Sequence, residues 1–392
     1  MSAHLTFFPV GNGDMALVTL DNEQTILIDI NIRTAADNEN DDTSDVAEAL
    51  RERLKKDADG RTYVDVMLLS HPDGDHCTGL KNHFHLGPLS DWVKKENKII
   101  IREMWSSPIV FKRASKDHVL CDDAKAWAAE ARRRVALFRK EGLTGTPSGE
   151  RILIMGEDVD GKTDNIPAIV VKVDELIQQA DRGAAGKFQS RLLAPLPLGD
   201  EEEEETLSKN NSSVIMRLSI MADGFADKCG FLTGGDADVA IWDRLWQKHG
   251  DAHPSWLEYD ILEAPHHCSW RTLSFDRWSE LGEKVTVNLN ARSALSQRRE
   301  GAVVVASCKP IKADDDNPPH ERAKREYVSI VDEKSDRFFC TGEYPSEKTP
   351  EPLEFIVTRD GPEKKRRAAK VAAVAAFGIG GIAQTARAHG KR

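Results

Sequence analysis

The segment Ser70-His71-Pro72-Asp73-Gly74-Asp75-His76 follows directly on the apolar run 64–69 and constrains the fold more than any other stretch of the chain. The run has the length and residue types of a buried strand, and the Pro and Gly after it force a loop. Four metal-capable side chains therefore gather within six residues at the mouth of a sheet, on the kind of loop that commonly carries binding and catalytic groups. Imidazole nitrogens together with carboxylate oxygens suit zinc, manganese or iron. Read alone, His-Pro-Asp and Asp-Gly are also ordinary turn sequences. What separates the two readings is recurrence: the apolar stretches ending at Gly235-Asp236 and at Pro265-His266-His267-Cys268-Ser269 each close on a possible ligand.

With these three strand ends the chain resembles the metallo-β-lactamase fold, whose pattern is a His-x-[His/Asp]-x-Asp-His loop, a Gly-Asp after a strand and a late His. Within that superfamily it is most similar to the hydrolase domain of the DNA-uptake protein ComEC and its soluble stand-alone relatives. The matching segments run in the same order: Val10-Gly11-Asn12-Gly13-Asp14, Ile28-Asp29, His71 to His76 with Gly79-Leu80, Asn210-Asn211-Ser212-Ser213, Thr233 to Asp236, and Pro265 to Ser269. The resemblance covers roughly residues 4–320. It implies an α/β fold, an αββα four-layer sandwich, here with an inserted helical region (about 81–190) in a hydrolase domain spanning 1–362, and a basic Ala/Gly-rich tail over 363–392.

By position, the resemblance implies two divalent metal ions, zinc or manganese. His71 and Asp73 would hold one and Asp75 and His76 the other, with Asp236 as the bridge and His266 completing the second site. His267 is the alternative to His266, because sequence does not show which imidazole faces inward. Asp73 stands where many members have histidine, and Asn210-Asn211 where another histidine would come, so one site is poorer in nitrogen and leans towards manganese. The implied chemistry is hydrolysis by a water that the metals activate and Asp75 orients, with Asp75 and His76 as the catalytic pair.

Likeness to the competence protein favours phosphodiester bonds in DNA or nucleotides. A hydrolase of another ester and a partner-gated effector, contacting a protein through the insertion or the tail, are the alternatives. Charge narrows the nucleic-acid reading. The net charge is −11, of which the last 30 residues hold +7 and the first 362 hold −18. An acidic body does not coat long duplex DNA, whereas a short or single-stranded substrate entering a local cleft remains compatible.

Six cysteines with no CxxC pair indicate neither a zinc ribbon nor a disulfide framework. Cys77 and Cys268, each just after a ligand motif, read as small buried thiols. No apolar run reaches the length of a membrane span and no leader is evident, so a cytoplasmic location is expected.

Further along, the patterns predict a hairpin over 5–20, a strand at 25–30, a helix over 44–56 capped by Ser44, and a strand at 98–104. They also predict a long helix over 117–140, strands at 152–155 and 168–173, and a short helix over 174–179. Strands at 214–220 and 230–233, a helix over 237–246, and strands at 284–289 and 302–307 follow. The acidic run 201–205 reads as a solvated loop. The polar stretch 314–320 resembles the family's Asn-x-x-x-His loop, which would bring His320 near the site from outside the ligand set.

Overall fold

Short β-branched and aliphatic segments, buried along most of their length, build two sheets. The computed structural model describes residues 2–38, 41, 43–108, 120–157, 161–196, 212–312 and 317–366. Asn210 and Asn211, the acidic run 201–205, residues 314–316 and the tail beyond 366 lie outside the described residues.

In chain order the strands of the first half are β1 (Ala3–Phe7), β2 (Ala16–Thr19), β3 (Thr25–Ile28), β4 (Ile30–Asn31), β5 (Lys55–Lys56), β6 (Thr62–Leu69), β7 (Ile100–Ser106), β8 (Arg151–Met155) and β9 (Val170–Val171). Those of the second half are β10 (Leu176–Ile177), β11 (Phe188–Ala194), β12 (Ile215–Ala222), β13 (Phe225–Leu232), β14 (Tyr259–Glu263), β15 (Arg298–Ala306), β16 (Phe338–Cys340), β17 (Leu353–Thr358) and β18 (Gly361–Lys364). One sheet runs β18-β17-β1-β2-β3-β6-β7-β8-β9, with β5 paired to β6, and the other runs β10 through β16 in sequence order. The chain thus returns at its end to close the first sheet beside β1, Leu5 opposite Phe355.

The sheets face each other across a shared core: Leu5, Phe7, Val18, Ile26, Val66, Leu68 and Trp105 from one meet Leu192, Met216, Leu218, Phe231, Ile261 and Val305 from the other. Helices cover both outer faces. On the first sheet α1 (Val46–Arg51) and α3 (Asp122–Gly145) bury Leu50, Trp127, Ala131 and Val135 against Leu27, Met67, Ile101 and Ile152. On the second, α4 (Val239–His249), α5 (Leu289–Leu295) and α6 (Glu321–Ile330) bury Trp242, Leu245, Leu295 and Tyr327 against Leu232, Leu262 and Val304. The molecule is a mixed α/β sandwich. The one-turn helix α2 (Gly74–Cys77) lies in the loop after β6.

The segment 81–190 supplies β7, β8 and β9 to the first sheet and α3 to its outer face. α3 is anchored by ions. Arg134, 1% exposed, donates through Nε to Glu130 Oε1 (2.7 Å), through Nη1 to the Arg151 carbonyl (2.9 Å) and through Nη2 to the Ile101 carbonyl (3.0 Å). Glu130 and Glu150 also accept from Arg133 (2.6 and 2.5 Å) and from the backbone N–H groups of Gly87 (2.9 Å) and Leu89 (2.7 Å).

Three local expectations are corrected. Residues 284–289 are not a strand: the Asn288 side chain accepts from the Ala291 N–H (2.7 Å) and starts α5. Residues 174–179 are not a helix, because Leu176 and Ile177 pair with Arg191 and Ser190 of β11. The cap of α1 is Asp45 instead of Ser44: its side chain accepts from the Glu48 N–H, while the Ser44 hydroxyl donates to the Pro350 carbonyl (2.7 Å).

Candidate metal centre

Parallel pairing fixes where the chemistry gathers. β3 pairs parallel with β6, and β13, β14 and β15 run parallel to one another, so several strands of each sheet end on the same side. The C-terminal ends of such strands, where loops depart, are the usual place for ligands. Asp29 follows β3, the His71–His76 loop follows β6, Asp236 follows β13, and His266 and His267 follow β14. The turn between β1 and β2 adds Asp14.

Asp236, 3% exposed, lies at the middle. Its Oδ1 is 3.0 Å from His76 Nε2 and 3.3 Å from His267 Nε2. Its Oδ2 is 3.5 Å from His71 Nε2 and 3.7 Å from His266 Nε2. On the first side, Asp14 Oδ1 is 3.3 Å from His267 Nδ1, and Asp75 Oδ2 is 3.4 Å from His267 Nε2. On the second, Asp73 Oδ2 is 3.8 Å from His71 Nε2. Every residue expected from sequence therefore converges here. The adjacent histidines divide, and the expectation for His266 is corrected: it is His267 that joins Asp75 and His76, while His266 lies on the His71 side of Asp236.

Asp14, His76, Asp236 and His267 each offer a ligand atom within 4.8 Å of the other three, and all four are buried. Asp14 was absent from the expected ligand set. The sequence signal was present, since the Gly13-Asp14 turn follows the first strand, but an Asp in a hairpin turn is unremarkable by itself. Gly13 is required there: φ is +144°, and a Cβ would stand 2.3 Å from Asn31 Nδ2 and 2.5 Å from the Asp75 carbonyl oxygen.

Asp29 was also given no role. It adopts φ +53° and accepts the Ser70 N–H at Oδ1 (2.7 Å) and the Ser70 hydroxyl at Oδ2 (2.5 Å). The same Oδ2 lies 2.7 Å from His76 Nδ1. With Nδ1 occupied in this way, Nε2 of His76 is turned towards Asp236, the arrangement by which carboxylates orient metal-binding imidazoles. Asp236 is set by its own N–H, which donates to Ser213 Oγ (3.0 Å). His266, His267 and Cys268 take φ of +52°, +53° and +66° in succession. Non-glycine residues there cost of order 1–3 kcal/mol each, and this backbone turns two neighbouring imidazoles towards one carboxylate.

The electrostatics demand positive charge. Burial pushes the Asp236 carboxyl up, but His267, His76 and His71 outweigh it and hold the group well below the carboxylate range. Burial opposes charge on His76 and His267, yet Asp236 with Asp29, and Asp236 with Asp14, raise them well above their ordinary value. Asp75, pushed up by burial, is held at about 2 by the His267 imidazole 3.4 Å away and by the charge of His76.

The donor set fits a divalent cation. Asp14 Oδ1, His71 Nε2, His76 Nε2, Asp236 Oδ1 and both ring nitrogens of His267 are buried without a hydrogen-bond partner among the described residues, a costly state for polar atoms unless a ligand completes it. Two imidazoles and two carboxylates suit zinc or manganese, which would take the place of the imidazole protons.

The thiols stay outside the cluster. Cys77 and Cys268 are fully buried, and burial pushes both up. His320 caps α6, its Nδ1 accepting from the Arg322 N–H (3.0 Å), and its ring packs 4.8 Å from Trp278.

No family model matches the chain, and no curated protein sequence does. Among solved structures it is similar to an isothiocyanate hydrolase from Delia radicum gut bacteria, at 10% identity over 90% of this chain and 99% of that one, TM-score 0.36. It is also similar to unliganded yeast PDE1, at 12% identity over 87% of this chain and 98% of that one, TM-score 0.38. No helix among the described residues is long and apolar enough to cross a membrane.

Proposed function

We propose that the chain is a metal-dependent hydrolase of the metallo-β-lactamase type, a phosphodiesterase or nuclease acting on DNA or nucleotides. The observation that carries this reading is the buried quartet Asp14, His76, Asp236 and His267, whose polar atoms meet at one point without completing their hydrogen bonds. Asp236 offers one oxygen to the His76–His267 side and the other to the His71–His266 side, as a residue bridging two ions would. Divalent ions held there would lower the pKa of a water and offset charge building on a phosphoryl oxygen.

The chain's own side chains do the rest. Asp29 fixes the ring of His76. Asp75, with its side chain 40% exposed, is the most open acid of the group and is placed to orient an incoming water. Preference for phosphodiesters rests on the likeness of the six sequence segments to the ComEC hydrolase domain, and the acidic body favours short or single-stranded substrates.

The test is cleavage of labelled single-stranded DNA, duplex DNA and bis(4-nitrophenyl) phosphate with zinc, manganese or magnesium, by wild type beside His76→Ala. Metal-dependent cutting lost in the variant is the expected result. Silence on all three substrates, with metal bound by elemental analysis, would overturn the phosphodiesterase reading.

A further inference from the structure

Beside the candidate metal centre, the loop after β14 forms a small cleft lined by Trp270, Arg271, Asp276, Arg277 and Trp278, with a volume of about 200 Å³. That is below the roughly 300–1,000 Å³ of pockets for drug-sized ligands and leaves room for one planar ring system. The walls are held firmly. Trp270 is 3% exposed and donates its indole N–H to the Asp276 carbonyl (3.1 Å). Its ring meets that of Trp278 edge-on at 6.3 Å, and Trp278 packs against His320 at 4.8 Å. Asp276 closes the loop, its Oδ2 accepting both the N–H (2.8 Å) and the hydroxyl (2.7 Å) of Thr286.

Two arginines line the cleft beside Asp276, and Arg277 Nη1 stands 3.7 Å from Glu280 Oε1. The side chains of Arg271 and Arg277 are 57% and 66% exposed. Arg271 Nε lies 3.8 Å from Asp238 Oδ2, and Asp238 Oδ1 lies 3.3 Å from His266 Nδ1. One acid therefore links the cleft to the metal centre. Phe275, in the same loop, is 64% exposed. Aromatic faces beside guanidinium groups stack a base and hold a phosphate, the combination used for single-stranded nucleic acids.

Building on the hydrolase reading above, we infer that this cleft binds the nucleotide unit next to the scissile phosphate, its base on the tryptophan wall and its phosphate towards Arg271 and Arg277. The function of these residues is selection: a phosphodiester that carries a base is taken in preference to one that does not.

Equilibrium dialysis of the full chain tests this, using thymidine 5′-monophosphate and 2-deoxyribose 5-phosphate in excess chelator, so that no metal–phosphate contact contributes. The expected result is about tenfold tighter binding of the base-bearing compound, within the range that stacking on an aromatic face supplies. Trp278→Leu, which keeps apolar bulk against the core, should abolish that preference. Arg277→Gln, at an exposed position, should weaken both compounds about threefold, less so at high salt. Equal affinity for the two compounds in wild type, or an unchanged preference in folded Trp278→Leu, overturns the inference. If wild type still hydrolyses phosphodiesters in that case, the hydrolase reading stands without it. Binding as expected with no phosphodiester hydrolysed supports the cleft and overturns the hydrolase reading.

Discussion

Two of the charge clusters buried among the described residues are finished to different degrees. Around Arg134, Glu130 and Glu150, the guanidinium nitrogens and carboxylate oxygens find partners, several of them backbone groups of the strands and loops that α3 covers. Around Asp236, carboxylates and imidazoles are equally buried, yet six of their polar atoms complete no hydrogen bond among the described residues. A buried network that closes on itself holds a helix to a sheet. One that leaves its lone pairs aimed at a common point is built for something the chain does not contain.

The strongest way to break this contrast is to remove the centre of each cluster. Asp236→Ala should lower hydrolysis by about three orders of magnitude or more, several kcal/mol of transition-state stabilisation, with the circular dichroism of the wild type. Comparable turnover in that variant would sink the contrast. Glu130→Ala should do the reverse: a cost of roughly 3–5 kcal/mol in denaturant unfolding, because Arg134 is left buried without its carboxylate, and near-normal activity per folded molecule.

Glu103 falls between the two. It is 3% exposed and accepts from the Trp105 indole N–H (2.7 Å). Burial, with some help from Asp181, pushes it up to about 7 against the opposing pull of Trp105 and Arg151. The folded state therefore holds a proton that the unfolded chain releases near pH 4.5. Its contribution is fully present below pH 4.5 and is lost as pH rises through 7, about 3 kcal/mol in all. Urea unfolding across pH 4–8 should show that decline in wild type and a flatter profile in Glu103→Gln.

Metal removal sharpens the contrast further. At a hundredfold excess of metal over its dissociation constant, wild type should be about 2.7 kcal/mol more stable than in chelator. Asp236→Ala should lose that difference, and Glu130→Ala should keep it. The smallest effect belongs to orientation: Asp29→Asn should weaken metal affinity about 10–100-fold by calorimetry, and unchanged affinity would remove Asp29 from the site.

The sequence made some of this legible and hid the rest for physical reasons. The His71–His76 loop was readable because ligand types cluster within a few residues after a strand. Asp14 and Asp29 stood within matched segments but carried no assigned role, since each acquires one only when a strand of the sheet brings it beside His267 or His76. The division of labour between His266 and His267 depends on three successive positive φ values that residue types do not announce. The Val285–Val287 alternation resembled a strand, but the Asn288 cap redirected the chain into α5. The arrangement of the sheets in a sandwich was implied by the resemblance alone, while the residue patterns themselves marked out individual strands and helices through their different periods.

The quartet takes Asp14 and His76 from the first sheet and Asp236 and His267 from the second. Its assembly thus records whether the two halves have docked. A nascent or half-folded chain can offer only scattered pairs of ligands, too few to capture an ion firmly. The proposed hydrolytic capacity would then be acquired late, and only by molecules in which both sheets are in place.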